Sequence, residues 1–161
     1  RRVSSAMRSL AALRWLPSDP DPAMRASIAA WRAAEGPDNL AEPLDLDAGD
    51  SAACWPMAAD AVLCVNMFHI APWSAALGAL DGAARVLPAD APFVVYGPFM
   101  RDGRHTSDGN AAFDADLKQR NPAWGLRDVA DTAAAAAACG LALDRIDDMP
   151  ANNLTLTFRR R

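Results

Sequence analysis

The sequence predicts an α/β protein of three layers, with a mostly parallel sheet between helices and an antiparallel last strand. Three observations carry this expectation. Helix-period and strand-like segments alternate along the chain. The run Ala61–Met67 is apolar at consecutive positions, the mark of a strand covered on both faces. The last two strand-like segments have no helix between them, which suits an antiparallel closing pair.

The elements follow in order. Val3, Met7 and Leu10 share one helical face, so Arg1–Ala12 reads as the end of a helix. Leu13–Asp19 reads as a short strand stopped by Pro17-Ser18-Asp19-Pro20. Asp21 is a good N-cap and Pro22 a good first residue for a helix carrying Met24, Ile28 and Trp31, which Gly36-Pro37 ends. Leu40–Leu46 is a weaker strand before the turn Asp47-Ala48-Gly49-Asp50. Ala61–Met67 is the best strand in the chain. Pro72 opens a helix with Leu77, Leu80 and Leu87 inward, and Pro88 stops it. Phe93–Tyr96 is a second central-type strand. Gly97–Arg127 reads as a long polar connection holding a short helix near Ala111–Arg120. Asp128–Cys139 is an alanine-rich helix capped by Gly140. Leu141–Ile146 and Leu154–Phe158 close the sheet.

With 161 residues, 52% of them hydrophobic, the chain suits one domain with a real core and not a disordered segment. A net charge of -4 supplies no electrostatic footprint for nucleic acid. No stretch approaches the length of a membrane span, so no membrane partner is expected. Cys54, Cys64 and Cys139 are scattered and lack ligand spacing, so no metal is expected and a reducing, cytoplasmic setting is. Cys64, inside the apolar run, reads as a small core residue.

Five segments then occur in a specific order. They are Trp15-Leu-Pro-Ser-Asp-Pro-Asp, Val65-Asn-Met-Phe-His-Ile-Ala-Pro-Trp, Tyr96-Gly-Pro-Phe-Met-Arg-Asp-Gly-Arg-His-Thr, Asn121-Pro-Ala-Trp-Gly-Leu-Arg-Asp and Met149-Pro-Ala-Asn-Asn-Leu-Thr-Leu. From about Leu13 to Arg161 the chain resembles the family called domain of unknown function 938, also named methyltransferase-like protein 26. The resemblance implies a Rossmann-like class I methyltransferase sheet and S-adenosylmethionine as cofactor. Such folds begin with a strand and a glycine-rich loop that wraps the methionine end of the cofactor. Nothing here precedes the helix at Val3, and GxGxG occurs nowhere. The expectation is therefore a single, incomplete domain over residues 1–161, with that first strand and loop missing.

The same resemblance implies site residues. Asp19, ending a strand, would accept from the ribose hydroxyls; a loop aspartate or a helix cap is the plainer role, though Asp21 already supplies the cap. Asp47 would accept from the adenine amino group, with Asp45 and Asp50 as rivals and a solvated turn as the alternative. Asn66 and Met67 end the apolar strand, where ligands bind beyond strand carboxyl ends. His69 is a candidate general base, against the commoner role of a capping or packing histidine. His105 is the other histidine available as a base. Tyr96, Arg101 and Arg104 surround Gly97 and Gly103 in what reads as a flexible loop able to grip an anionic substrate, or as a solvated loop. Asn152 would reach the same edge from the last turn, unless it serves turn chemistry alone. Trp31, Trp55, Trp73 and Trp124 read as core or pocket packing. The favoured function is methyl transfer to a small molecule. The alternatives are a non-catalytic or degenerate ligand- or protein-binding module and, less favoured, a nucleotide-dependent oxidoreductase.

Overall fold

The computed structural model describes residues 12–50, 55–56 and 58–161. The expected first helix and Cys54 lie outside the described residues. The chain forms two compact units, Arg1–Asp47 and Ala48–Arg161.

In the first unit, helix α1 spans Pro22–Glu35. Asp21 caps it by accepting from the Ala23 N–H, and Pro22 occupies the first turn, where a missing N–H costs nothing. Gly36 closes it, donating to the Arg32 carbonyl. The two expected strands shrink to isolated parallel bridges, Trp15 with Leu40 and Ser18 with Leu44. The bonds alternate from one segment to the other: Trp15 N–H to Asn39 O, Ala41 N–H to Trp15 O, Leu44 N–H to Pro17 O and Asp19 N–H to Leu44 O. Pro17, Pro20 and Pro43 each remove a donor from this ladder, so it cannot lengthen.

The second unit holds the main sheet. Its strands are β1 (Val62–Val65), β2 (Pro92–Gly97), β6 (Leu141–Met149) and β7 (Asn153–Arg160), in the spatial order β1-β2-β7-β6. β1 and β2 are parallel, and β7 runs antiparallel to both β2 and β6. Three strands thus point one way and the last runs against them, as expected. Helices α2 (Trp73–Val86) and α4 (Val129–Ala138) supply Leu80, Ala83 and Ala136 to a core shared with Phe93, Val95, Leu156 and Phe158. The core-facing residues alternate along β2 and β7, Phe93 opposite Phe158 and Val95 opposite Leu156, while Thr157, between Leu156 and Phe158, is buried outside that core.

Three expectations are corrected. Among the described residues β1 is an edge strand, not a central one: it pairs there only with β2, and Leu63 and Val65 are 45% and 41% exposed. A continuous apolar run reports composition on both faces, but it cannot report whether a neighbour is present. Leu77 faces outward on α2, while Leu80 is fully buried. The segment after β2 is not a loop with one helix. It contains β3 (Phe99–Arg101), β4 (Arg104–His105), α3 (Asp108–Arg120) and β5 (Arg127–Asp128), and the three strands form a small sheet in the order β4-β3-β5. Asp102 and Gly103 turn β3 into β4 with φ of 53° and 71°, the pair of positive φ values a two-residue hairpin needs.

Cys64 packs against the core, and burial pushes its thiol up to about 12. Trp55 and Trp73 also pack there, while Trp124 lies under the Arg120 guanidinium. Among the described residues no helix is long and apolar enough to cross a membrane, and no group of His, Cys, Asp or Glu is arranged to hold a metal.

Candidate active site

Beyond the carboxyl ends of the parallel pair β1 and β2 lies a cavity of about 350 Å³. Ligands of open α/β sheets bind at this edge, because the strand ends and following turns converge there. Asn66, His69, Tyr96, Pro98, Asn110 and Phe113 line it, with Ala151 and Asn153 from the last turn.

Each lining residue has a local reason for its place. Asn66 extends the ladder by donating its N–H to Tyr96 O, then turns the chain with φ of 61°, a conformation asparagine tolerates well. His69 follows in the turn and is 5% exposed. Its ring meets Phe113 edge-on at 5.5 Å. Gly97 leaves room for both: a Cβ there would lie 3.3 Å from His69 Nδ1 and 3.4 Å from Asn66 Oδ1. Burial, and then the charge of Arg127, lower the His69 pKa to about 4, so the imidazole is neutral at neutral pH.

α3 brings Asn110 and Phe113 to the cavity from one helical face. Ser107 caps that helix through the Asn110 N–H. The Asn110 side-chain amide donates to Thr106 Oγ1 at 2.8 Å and to Asn152 O at 3.0 Å. The second bond holds a strained turn, since Ala151 and Asn152 have φ of 59° and 56°.

Asp114, with its side chain 4% exposed, lies one turn on from Asn110 and anchors α3. Its Oδ2 accepts from His105 Nε2 at 2.9 Å and Lys118 Nζ at 2.7 Å, and its Oδ1 from the Leu126 N–H at 2.8 Å. Burial pushes this carboxyl up, but the bonds from Lys118, His105 and Leu126 outweigh that and hold its pKa below the usual value.

The structure brings together only some of the residues singled out from sequence. Asn66, His69 and Tyr96 share the cavity. Met67 packs against the core instead. His105 is committed to Asp114 and lines neither cavity found here. Arg101 pairs with Asp148 and, with Asn152, lines a neighbouring cavity of about 240 Å³. Arg104 is exposed beside the hairpin turn and lines neither cavity. Asp19 and Asp47 belong to the first unit. Asp19 Oδ1 accepts from the Asp21 N–H at 2.9 Å, a local turn ahead of the Asp21 cap, and a carboxylate keeps acceptor capacity beyond one such bond. Asn110, Phe113, Asp114 and Arg127 were not anticipated. The Asp102-Gly103 pair and the Ser107 cap were the signals that could have placed α3, and with it Asn110 and Phe113.

The fold matches solved methyltransferases. An O-methyltransferase family protein from Burkholderia thailandensis superposes with a TM-score of 0.82 at 18% identity, over 98% of this chain and 47% of that one. The mitomycin 7-O-methyltransferase MmcR gives 0.80 at 17%, over 99% and 45%. CalO1, a methyltransferase of calicheamicin biosynthesis in an SAH-bound form, gives 0.76 at 17%, again over 99% and 45%. The chain therefore spans less than half the length of these proteins, and at such identities the likeness establishes the fold alone. The sequence itself is more specific: residues 6–160 match one family pattern, and the chain belongs to the family described as protein of unknown function (DUF938).

Proposed function

We propose that this chain is part of an S-adenosylmethionine-dependent methyltransferase that methylates an oxygen of a small, uncharged molecule. The cavity beyond β1 and β2 carries the reading. Its lining offers the amides of Asn66, Asn110 and Asn153, the rings of Tyr96 and Phe113, and a neutral imidazole, with no acidic, lysine or arginine side chain among the lining residues. That supports an uncharged acceptor over the anionic one first expected. The O-methyltransferases of similar fold support oxygen as the acceptor atom. A cytoplasmic setting belongs to the same proposal, supported by the free thiols of Cys64 and Cys139.

The residues present fit part of the cofactor. Asn66 opens its amide on the cavity from a strand end, where a polar group of the cofactor can meet it. When bound, the cofactor supplies an electrophilic methyl on a sulfonium. The chain's own part is placement and proton handling. The Asn66 and Asn110 amides orient the acceptor, Phe113 and Tyr96 exclude water from it, and His69 accepts the hydrogen bond of its hydroxyl. With a pKa near 4, His69 takes that proton only late, once the oxygen has become acidic.

A non-catalytic ligand-binding module is the second reading, favoured by one observation: GxGxG occurs nowhere in the 161 residues. Calorimetric titration with S-adenosylhomocysteine, followed by transfer of labelled methyl to a panel of phenols and alcohols, separates the two. Cofactor binding and transfer, reduced about 100-fold by His69→Gln, supports the enzyme. Absence of cofactor binding sinks it.

A further inference from the structure

The turn that carries His69 has no regular structure of its own, and its carbonyls are claimed by one distant segment. Arg127 Nε donates to Phe68 O at 3.0 Å, and Arg127 Nη2 donates to Ala71 O at 2.8 Å. Between them, the Gly125 N–H donates to His69 O at 3.0 Å. Carbonyls on the residue itself and on both sides of it are thus tied to residues 125 and 127. Arg127 also donates to Ala123 O at 2.9 Å, and its guanidinium lies 5.6 Å over the Trp73 ring.

That segment is itself fixed. Asp114 Oδ1 takes the Leu126 N–H between the two holding residues. Gly125 has φ of 141°, and a Cβ there would lie 2.8 Å from both Asp114 Oδ1 and Lys118 Cε. Only glycine lets the strand pass the carboxylate and still present its N–H to His69 O. A chain of contacts therefore runs from Asp114 through residues 125–127 to the backbone of the histidine turn.

We propose that Arg127 is a positioning residue for His69, its guanidinium clamping the carbonyls of Phe68 and Ala71 so that the imidazole is held in the cavity against Phe113. This rests on the reading of His69 as the proton-accepting group. Arg127 is not itself the anion grip of a substrate site, because Nε and Nη2 are spent on backbone carbonyls and its face on Trp73. The planar fork is what the geometry uses. A lysine carries the charge but cannot bridge two carbonyls while stacking on an indole. The groups facing His69 are Asn66 on its own turn, Tyr96 at the end of β2, Phe113 on α3 and Arg127 on β5. Asp114, next to Phe113 on α3, is bound to His105, Lys118 and Leu126.

The chain has only two histidines, so their ring signals can be followed individually by NMR, with His69→Gln assigning one of them. Arg127→Gln and Arg127→Lys are compared with the parent. In Arg127→Gln the His69 titration midpoint should rise as the nearby charge disappears, while remaining below the ordinary value because the ring stays buried. In Arg127→Lys the contact between the His69 and Phe113 rings should be lost although the charge remains. A ring contact intact in Arg127→Lys overturns the proposal. If Arg127→Gln does not fold, the lysine variant decides alone. None of these readings depends on methyl transfer, so a failure of the enzyme assignment would show separately, as absence of transfer by the parent protein.

Discussion

Lowering the pH from about 8 to about 5 should weaken the fold through His69. The ring is 5% exposed, and its pKa falls from 6.5 to about 4 on folding. The sign follows from linkage. The unfolded chain takes up its proton first, at the ordinary value, and the folded chain resists until about pH 4. Stability is therefore full above about pH 6.5 and is lost as the pH falls toward the folded value. With these two values the loss between about pH 8 and about pH 5 comes to about 2 kcal/mol, and it saturates near 3 kcal/mol below both. Asp114 acts lower on the scale: its carboxyl is held below the usual value, so its stability is lost only as the pH falls from the ordinary carboxylate value toward the folded one. Urea unfolding followed by tryptophan fluorescence at a series of pH values gives the measurement. His69→Gln removes this titration, so the parent-minus-variant difference isolates it from every other group. If that difference stays flat across the window, the histidine is not buried neutral, and both its environment and its role as a late proton acceptor are wrong.

Other changes test the cavity and its supports. Gly97→Ala places a methyl 3.3 Å from His69 Nδ1 and 3.4 Å from Asn66 Oδ1, so ligand binding in the cavity should weaken while stability changes by less than about 1.5 kcal/mol. Calorimetry and urea unfolding on the same sample separate the two effects. Asp114→Ala leaves the Leu126 N–H without its acceptor and strips His105 and Lys118 of their partner, and should cost about 2–4 kcal/mol by denaturant unfolding. Asp114→Asn, which keeps an oxygen for Leu126, should cost less. Asn110→Ala cuts the bond to Asn152 O, so amide exchange at the Pro150–Asn152 turn should quicken, with about 1–2 kcal/mol of stability lost.

The elements legible in sequence are those whose signals are local. Asp21-Pro22 fixes the start of α1, Asp128 caps α4, and Phe93–Tyr96 lies within the observed β2. What failed depended on distant partners. Val62–Val65 is apolar throughout, yet its outer residues are exposed because the described sheet ends there. Leu13–Asp19 has strand character, but its prolines leave too few donors for more than a bridge. The clamp on His69 was out of reach for the same reason. Phe68 and Arg127 stand 59 positions apart, and no periodicity or spacing rule links an arginine to a carbonyl at that range.

The segment after β2 decides what the cavity selects, and there one unread dipeptide changed the chemistry. As a flexible loop, Tyr96–His105 would bring Arg101, Arg104 and His105 over a substrate together. As a hairpin it cannot, because strands alternate their side chains and the Asp102-Gly103 turn sets the register, pairing Arg101 with Arg104 and Met100 with His105. His105 is then drawn to Asp114, Arg101 to Asp148, and Arg104 to solvent. The cations leave the cavity, and the amide of Asn110 and the ring of Phe113 enter from the helix that follows. The amides lining the cavity discriminate by hydrogen bonding, which disfavours an analogue lacking the matching hydroxyl or carbonyl. Selectivity at this cavity should therefore track hydrogen-bonding pattern and planarity far more than charge, and adding a carboxylate to an accepted ligand should weaken its binding.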